Sequence, residues 1–195
     1  MPQLTLFESS ETRLADDERG RVVYTPRIVD ADTAESWFRE LRDGLSWKMQ
    51  RRMMYDREVD VPRLMAQFRL DAAGVDAPAP VAEAARLIGG HLTVPFNSVG
   101  LNRYRDGRDS VAPHNDHLDE IREGFPIALL SLGAMRRMVI RAKAPPRTTL
   151  QVDLEAGSLL VMDYATQLHY THAIPKTPDD VGERISLAFR VKTAA

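Results

Sequence analysis

The sequence predicts a mostly β protein, a sandwich or barrel preceded by two helices. From residue 97 onward, short apolar runs alternate with Gly, Pro and Asp, which is typical of many short strands joined by turns. No helix-length segment separates these runs, so the pattern does not favour a parallel sheet with crossover helices. The predicted strands are Val99–Tyr104, Ile127–Leu132, Met138–Arg141, Thr148–Val152, Ser158–Met162, His169–His172 and Arg184–Val191.

Two segments of the first half have the periodicity of amphipathic helices. In residues 32–45, Asp32 and Glu35 have the spacing of a capping box, and apolar residues recur every three or four positions. A second helix is expected to begin near Pro80, which suits a first helical turn, and to end at Gly89-Gly90. Residues 71–80 are rich in Ala, Pro and Gly and are expected to form a connector.

Length and composition favour one folded domain of 195 residues, with 44% hydrophobic and 28% charged residues. The chain has no cysteine, which excludes disulfides, thiolate nucleophiles, iron–sulfur clusters and cysteine-based zinc sites. No apolar run approaches the roughly 18 residues of a membrane span, and Met1–Glu11 lacks the pattern of a signal peptide. We therefore expect a cytoplasmic monomer that does not bind membranes.

The net charge is only −2, so affinity for nucleic acid would have to come from a local basic surface. Residues 48–69 carry more basic than acidic side chains, and residues 134–152 contain five basic residues and no acid. Either stretch alone is more often a solvated face. Together, in a small acidic protein, they predict a surface that faces a polyanion.

A possible metal site begins with His114 and Asp116. Residues two apart in an extended chain point to the same side, so this imidazole and this carboxylate can bind one ion. A third ligand could be His169 or His172, which a strand would place on opposite faces, so only one of them is expected to reach the metal. Two His and one carboxylate leave open positions, as in non-haem Fe(II) oxygenases.

The strand predicted at residues 184–191 brings two arginines to one face. Even spacing places Arg184, Ser186 and Arg190 on that face, while the alternate positions are apolar. Inward-pointing guanidinium groups need an anion, and a dicarboxylate with one end on the metal would satisfy both. The same spacing rule places Asn102 and Tyr104 side by side, as hydrogen-bonding groups beside that anion.

In order and spacing, five segments within Phe96–Lys192 closely resemble the AlkB family of Fe(II)/2-oxoglutarate dioxygenases. The segments are Asn102-Arg103-Tyr104-Arg105-Asp106-Gly107, His114-Asn115-Asp116, Gly157-Ser158-Leu159-Leu160, His172, and the strand from Arg184 to Arg190. The resemblance implies a double-stranded β-helix (jelly-roll) core of about eight strands over residues 96–192. Residues 1–95 would supply helices and a nucleotide-recognition segment within the same domain.

The resemblance also assigns roles and an activity. It implies that His114, Asp116 and His172 bind Fe(II), and that Arg184 and Arg190 bind the carboxylates of 2-oxoglutarate. Cosubstrate contacts would also come from Asn102, Tyr104 and Ser186, and the residues implied to be catalytic are His114, Asp116, His172 and Arg190. The implied reaction uses O2 to dealkylate N-alkylated bases in damaged DNA or in RNA, and it releases an aldehyde, succinate and CO2.

Substrate contacts are expected from residues 48–69, interpreted as a mobile cover. In it, Tyr55-Asp56-Arg57-Glu58-Val59 and Val61-Pro62-Arg63-Leu64 are similar to the nucleotide-recognition segment of the family. Arg57 and Arg63 would meet phosphates, and Tyr55 or Phe68 would stack on an extruded base. Arg141, from the second basic stretch, would contact the flanking backbone.

The sequence departs from the family pattern in three places. Leu118 stands where many members have an acid, Gln67-Phe68-Arg69 replaces an aromatic-Tyr-Gly sequence, and Ser186 replaces a common Asn. The first two favour an alternative in which the same oxygenase chemistry acts on a protein or small molecule. A non-catalytic nucleic-acid-binding barrel and a zinc hydrolase are further alternatives, although neither gives a role to the two arginines.

Overall fold

The computed structural model describes residues 11–54, 57–70 and 77–193. Over these residues the chain forms twelve strands and three helices. In chain order these are β1 (Thr12–Asp17), β2 (Gly20–Thr25), α1 (Ala31–Gly44), β3 (Lys48–Met54), β4 (Arg57–Arg69), α2 (Ala79–Leu92), β5 (Ser98–Tyr104), β6 (Val111–His114), β7 (Ile127–Gly133), β8 (Arg136–Ala142), β9 (Thr149–Leu154), β10 (Leu159–Met162), α3 (Tyr164–His169), β11 (Tyr170–Ile174) and β12 (Arg184–Arg190).

The strands form two antiparallel sheets. The larger sheet has the order β1-β2-β10-β7-β12-β5-β4-β3, and the smaller has the order β6-β11-β8-β9. Side chains from both sheets form one buried cluster, which includes Leu129 and Leu160 of the larger sheet and Met138 and Ile140 of the smaller. This arrangement confirms the predicted mostly β, jelly-roll class.

The two longer helices cover the opposite face of the larger sheet. Trp37 and Leu41 of α1 and Ile88 of α2 pack there against Leu187 and Phe189 of β12. Alternate residues of β12, such as Ala188, belong instead to the cluster between the sheets. The predicted two-residue alternation of this strand is therefore confirmed, and it determines which side chains reach the space between the sheets.

The start of α1 and the end of α2 differ from the prediction. The N-cap of α1 is Asp30, whose carboxylate accepts a hydrogen bond from the Thr33 N–H at 2.9 Å, so a capping box at Asp32 was wrong. Helix α2 continues through Gly89-Gly90 to Leu92. A Cβ on Gly89 would stand 3.1 Å from the Val94 carbonyl oxygen. That glycine therefore allows a close approach of the chain after the helix and does not end it.

Four strands of the first half were not predicted. β1 and β2 pair at one edge of the larger sheet, and β3 and β4 pair at the other, where β4 also pairs with β5. β3 and β4 are thus paired strands that extend the larger sheet. The mobile cover predicted for residues 48–69 stays a prediction. Strands at the edge of a sheet have one partly solvated face, which carries polar residues. Such strands lack the continuous apolar runs by which the other strands were predicted.

None of the helices in the three described ranges has the length and apolar character that crossing a bilayer requires.

Candidate active site

Three metal-binding side chains converge where the smaller sheet meets the loop after β6. His172 of β11 is the direct register partner of His114, the last residue of β6, and Asp116 follows in the loop. One ligand atom from each residue lies within 4.8 Å of the others, and the two imidazole centroids are 4.3 Å apart. Two imidazoles and one carboxylate in this arrangement are the donor set that non-haem Fe(II) sites use.

Both imidazoles are prepared for metal binding. The Nδ1 atom of His114 lies 2.9 Å from the Ala112 carbonyl oxygen. Because a carbonyl can only accept, Nδ1 carries the proton and Nε2 offers its lone pair. Burial, followed by the nearby His114, lowers the pKa of His172 to about 3, and burial also lowers the pKa of His114. Both rings are therefore neutral near pH 7, as ligation requires.

Asp116 is buried but stays ionised. Burial alone would raise the pKa of its carboxyl, but the charge and hydrogen bond of Arg190 outweigh burial and lower that pKa. The Arg190 Nε–H donates to Asp116 Oδ2 at 2.6 Å. The Asp116 backbone N–H donates to Oε1 of buried Gln167 at 3.0 Å. Gln167 was not predicted from the sequence, because a lone amide has no characteristic spacing.

A cavity of about 190 Å³, here called the inner cavity, lies beside His114 and His172 between the two sheets. All five residues that were predicted to contact 2-oxoglutarate line it, namely Asn102, Tyr104, Arg184, Ser186 and Arg190. The strand pairing explains this, because β12 places Arg184 opposite Tyr104 and Ser186 opposite Asn102 on β5. The remaining lining is mixed, with the apolar side chains of Leu129 and Met138 and the polar side chains of Gln67 and Ser98.

Arg184 shows that the inner cavity fits an anion. The residue is 1% exposed, and its Nη2 donates to Ser131 Oγ at 2.9 Å. Among the described residues, its buried Nε and Nη1 have no hydrogen-bond partner. Burial lowers the pKa of Arg184, and the positive charge of nearby Arg136 also lowers it. A carboxylate of 2-oxoglutarate would supply the missing acceptors, so the residues present fit this cosubstrate.

The other predicted cosubstrate contacts are partly engaged with protein groups. Arg190 donates to Asp116 and, through Nη1, to the Ala188 carbonyl at 3.1 Å. Asn102 Oδ1 accepts from the Arg63 Nε–H at 2.7 Å, so the NH2 group of Asn102 is the donor left for a cosubstrate oxygen. Arg190 thus holds the metal-binding carboxylate as well as lining the cavity.

A second cavity of about 650 Å³, here called the outer cleft, lies beyond the metal-binding residues. His114 and Arg63 line both spaces, so an ion held by the three ligands would stand between them. The cleft walls are largely apolar and include Pro62, Val139, Ile174 and Pro175. Three cationic residues also line it, namely Arg63, Arg141 and Lys176.

The predicted substrate contacts have different outcomes. Arg63 and Arg141 line the outer cleft. Tyr55 lies outside the described residues, as does the side chain of Arg57, although Arg57 begins β4. Phe68 packs against the core under the helices, away from both cavities, so the prediction that it stacks on a base was wrong. It lies on the opposite face of β4 from Arg63 because their separation is an odd number of residues.

The basic stretch at 134–152 does not form one surface. Arg136 is buried and donates to the carbonyl oxygens of Asp106, Asp109 and Pro175. Arg137 forms an ion pair with Asp153, and Lys143 donates to the Gln167 carbonyl. Among the basic residues of this stretch, Arg141 lines the cleft. The polyanion surface predicted for the whole stretch is therefore wrong.

Two further expectations are refined by the tertiary structure. His169 ends helix α3 and its side chain is exposed, so the strand predicted over His169–His172 begins one residue later, at Tyr170, and His172 is the residue that joins the site. Leu118 packs against the core between the sheets. An apolar residue at that position is thus explained by packing.

Comparisons with known proteins give a consistent result. Residues 21–190 match the family model described as the 2OG-Fe(II) oxygenase superfamily. The chain is 37% identical over 119 residues to human "DNA oxidative demethylase ALKBH2", covering 57% of this chain and 46% of that protein. It is 29% identical over 217 residues to mouse "Alpha-ketoglutarate-dependent dioxygenase alkB homolog 3", covering 97% of this chain and 76% of that protein.

The chain therefore spans less than half of the human relative. Among solved structures, one described as "The structure of OsALKBH1" superposes with a TM-score of 0.58 at 14% identity, covering 87% of this chain and 96% of that chain. This likeness shows the fold alone. With the sequence matches, it confirms the AlkB-like resemblance that the motifs indicated.

Proposed function

The chain belongs to the 2OG-Fe(II) oxygenase superfamily, and from this membership we propose that it dealkylates N-alkylated bases of nucleic acid oxidatively. One observation carries the proposal: the three metal-binding residues stand between a cavity suited to a small dicarboxylate and a larger cleft with cationic residues. The names of the ALKBH2 and alkB homolog 3 relatives support a nucleic-acid substrate.

Fe(II) would be held by His114 Nε2, by His172 and by the carboxylate of Asp116. When bound with 2-oxoglutarate and O2, the ion supplies the oxidising chemistry that hydroxylates the alkyl carbon. The hydroxylated group then leaves as an aldehyde, and the cosubstrate leaves as succinate and CO2. The task of the protein is to hold one face of the metal and leave the other open.

The inner cavity would bind and orient 2-oxoglutarate. Arg184 supplies two buried donors that have no hydrogen-bond partner among the described residues, and they would bind one carboxylate of the cosubstrate. Asn102 and Tyr104, which also line the cavity, would supply further polar contacts. The keto acid end then points towards the metal ligands His114 and His172.

The outer cleft would receive the alkylated base. Its apolar walls suit the flat faces of a base, and an extruded or single-stranded base would bring its phosphates near Arg63, Arg141 and Lys176. The metal-binding site opens onto this cleft through His114. The alkyl group would therefore lie beside the open face of the metal.

The test incubates the purified chain with Fe(II), 2-oxoglutarate and a panel of methylated DNA and RNA oligonucleotides, with product masses and succinate measured. We expect mass loss of the methyl group in at least one oligonucleotide, stimulation of succinate formation by it, and neither effect with Asp116→Ala. Succinate formation that no alkylated oligonucleotide stimulates would overturn the nucleic-acid substrate and favour a protein or small molecule. Action as a cytoplasmic monomer stays a prediction.

A further inference from the structure

A buried amide lies behind the metal-binding carboxylate. The backbone N–H of Asp116 donates to Oε1 of Gln167 at 3.0 Å, across a separation of 51 residues. Gln167 is 1% exposed, and Asp116 is 7% exposed. The bond therefore ties the loop that carries one ligand to helix α3, immediately before the strand that carries another ligand, His172.

The direction of this amide is fixed by its neighbours. Gln167 Nε2 donates to Thr166 Oγ1 at 3.1 Å. The single hydroxyl proton of Thr166 is used, because Oγ1 donates to the Asp163 carbonyl oxygen at 2.6 Å. Thr166 can therefore only accept from Gln167, and the acceptor oxygen of the amide has to face Asp116.

Helix α3 is itself held in place against β2. The Asp163 N–H donates to the Arg21 carbonyl oxygen at 3.0 Å, and Lys143 Nζ donates to the Gln167 carbonyl oxygen at 2.7 Å. Gly20 has φ +115°, and a Cβ there would stand 2.8 Å from Thr166. The close approach of β2 to α3 thus depends on a glycine, and it gives Gln167 a rigid support.

Asp116 needs such support because it belongs to a loop and not to a strand. Its carboxylate is pulled towards Arg190 by a 2.6 Å hydrogen bond, and no strand pairing of the Asp116 backbone opposes this. The Gln167 bond fixes the backbone at the residue whose carboxylate has to meet the two imidazoles.

We propose that Gln167 is a positioning residue for the metal site, which sets the direction of the Asp116 carboxylate and thereby the metal affinity. The inference rests on the proposed function only in that His114, Asp116 and His172 bind a metal. It is independent of the substrate. Groups that orient metal ligands typically affect metal affinity by about 10- to 100-fold.

The test compares Gln167→Met with the wild type in the metal-free protein. Methionine has a similar length and shape but only a weak acceptor sulfur. The matched control is Gln151→Met, at an exposed position of β9. Co(II) is titrated calorimetrically, its visible ligand-field bands are recorded, and the urea unfolding midpoint of each metal-free variant is measured.

We expect Gln167→Met to weaken Co(II) binding by about tenfold or more, with altered ligand-field bands, and Gln151→Met to bind as the wild type does. Gln167→Glu retains an oxygen acceptor for the Asp116 N–H, and we expect it to bind Co(II) more tightly than Gln167→Met. Equal Co(II) affinity in Gln167→Met and wild type would overturn the inference, as would a lower unfolding midpoint with unchanged affinity and bands.

If Gln167→Met does not fold, Thr166→Val decides, because it removes the group that directs the amide. Weaker Co(II) binding by Thr166→Val then supports the inference, and unchanged binding contradicts it. If the wild type binds no Co(II), the metal site itself is refuted, and the inference is refuted with it. If the wild type binds Co(II) and the substitution of Gln167 leaves the Co(II) affinity unchanged, the inference is refuted but the metal site is not.

Discussion

Replacing Arg184 with methionine tests the binding of 2-oxoglutarate most directly. The guanidinium has two buried nitrogens, Nε and Nη1, that have no hydrogen-bond partner in the part of the chain that the structure describes. If the cosubstrate carboxylate accepts from both, each hydrogen bond involving charged groups contributes about 1.5 to 3 kcal/mol. Their joint loss of about 3 to 6 kcal/mol corresponds to at least about a 100-fold loss of affinity, since about 1.4 kcal/mol is tenfold.

The same substitution should not lower the unfolding free energy of the protein without cosubstrate. Arg184 is fully buried and has no carboxylate partner among the residues that the structure describes. Replacing buried ionic groups by apolar ones is often neutral or stabilising by about 1 to 4 kcal/mol. The loss of the hydrogen bond to Ser131 offsets about 1 kcal/mol of this. We therefore expect an unfolding free energy equal to or above that of the wild type.

The assay is calorimetric titration of 2-oxoglutarate into the Mn(II)-loaded protein without oxygen, together with urea unfolding of the metal-free protein. Arg103→Met is the matched control, because Arg103 lies next to Tyr104 on the other face of β5 and pairs with Glu183. Its cosubstrate affinity should equal that of the wild type. Arg184→Met binding 2-oxoglutarate within a few-fold of wild type would refute the assigned role of the buried donors.

Three further predictions concern the metal ligands and the cleft. Asp116→Ala should abolish iron-dependent succinate formation while the protein still unfolds cooperatively, and retained turnover would remove this residue from the ligand set. Arg141→Ala should weaken binding of single-stranded DNA and reduce the slope of log affinity against log salt by about 0.7, whereas Arg137→Ala should not, since Arg137 pairs with Asp153. The pKa of His172 falls from 6.5 to about 3 on folding, so the unfolded chain binds more protons within that range and stability falls as the pH drops through it. His172→Leu should flatten the dependence of metal-free stability between pH 6.5 and 4, and an unchanged curve would contradict the assigned cause.

Local spacing determined much of the candidate site. His114 and Asp116 are two residues apart, and Arg184 and Arg190 are six apart in a strand, so the period of an extended chain already places each pair on one side. The amphipathic pattern of α1 likewise identified Trp37 as a core residue. These features needed no knowledge of which strands are neighbours.

Strands with polar residues, and glycines that allow a close backbone approach, could not be predicted from the sequence in the same way. In β4, the exposed residues Gln67 and Arg69 alternate with the partly buried Ala66 and Phe68, so no long apolar run marks this strand. Gly89 allows a close backbone approach inside a helix. Phe68 has the aromatic character of a stacking residue, but the register of β4 turns it towards the helices. A pattern of residue types does not show which face of a strand packs against the core, because that depends on the elements that lie against each face.

The sequence by itself determined the class of fold and identified His114 and Asp116 as neighbouring donors, because periodicity and residue chemistry act within a few positions of the chain. The resemblance to the family, and not the spacing, selected His172 over His169. Only the tertiary structure decided that β11 pairs with β6 and so joins His172 to His114, that Arg190 also neutralises Asp116, and that Gln167 supports the ligand loop. Each of these contacts joins residues more than 50 positions apart. Such contacts depend on strand order and register, which the packing of the whole chain selects.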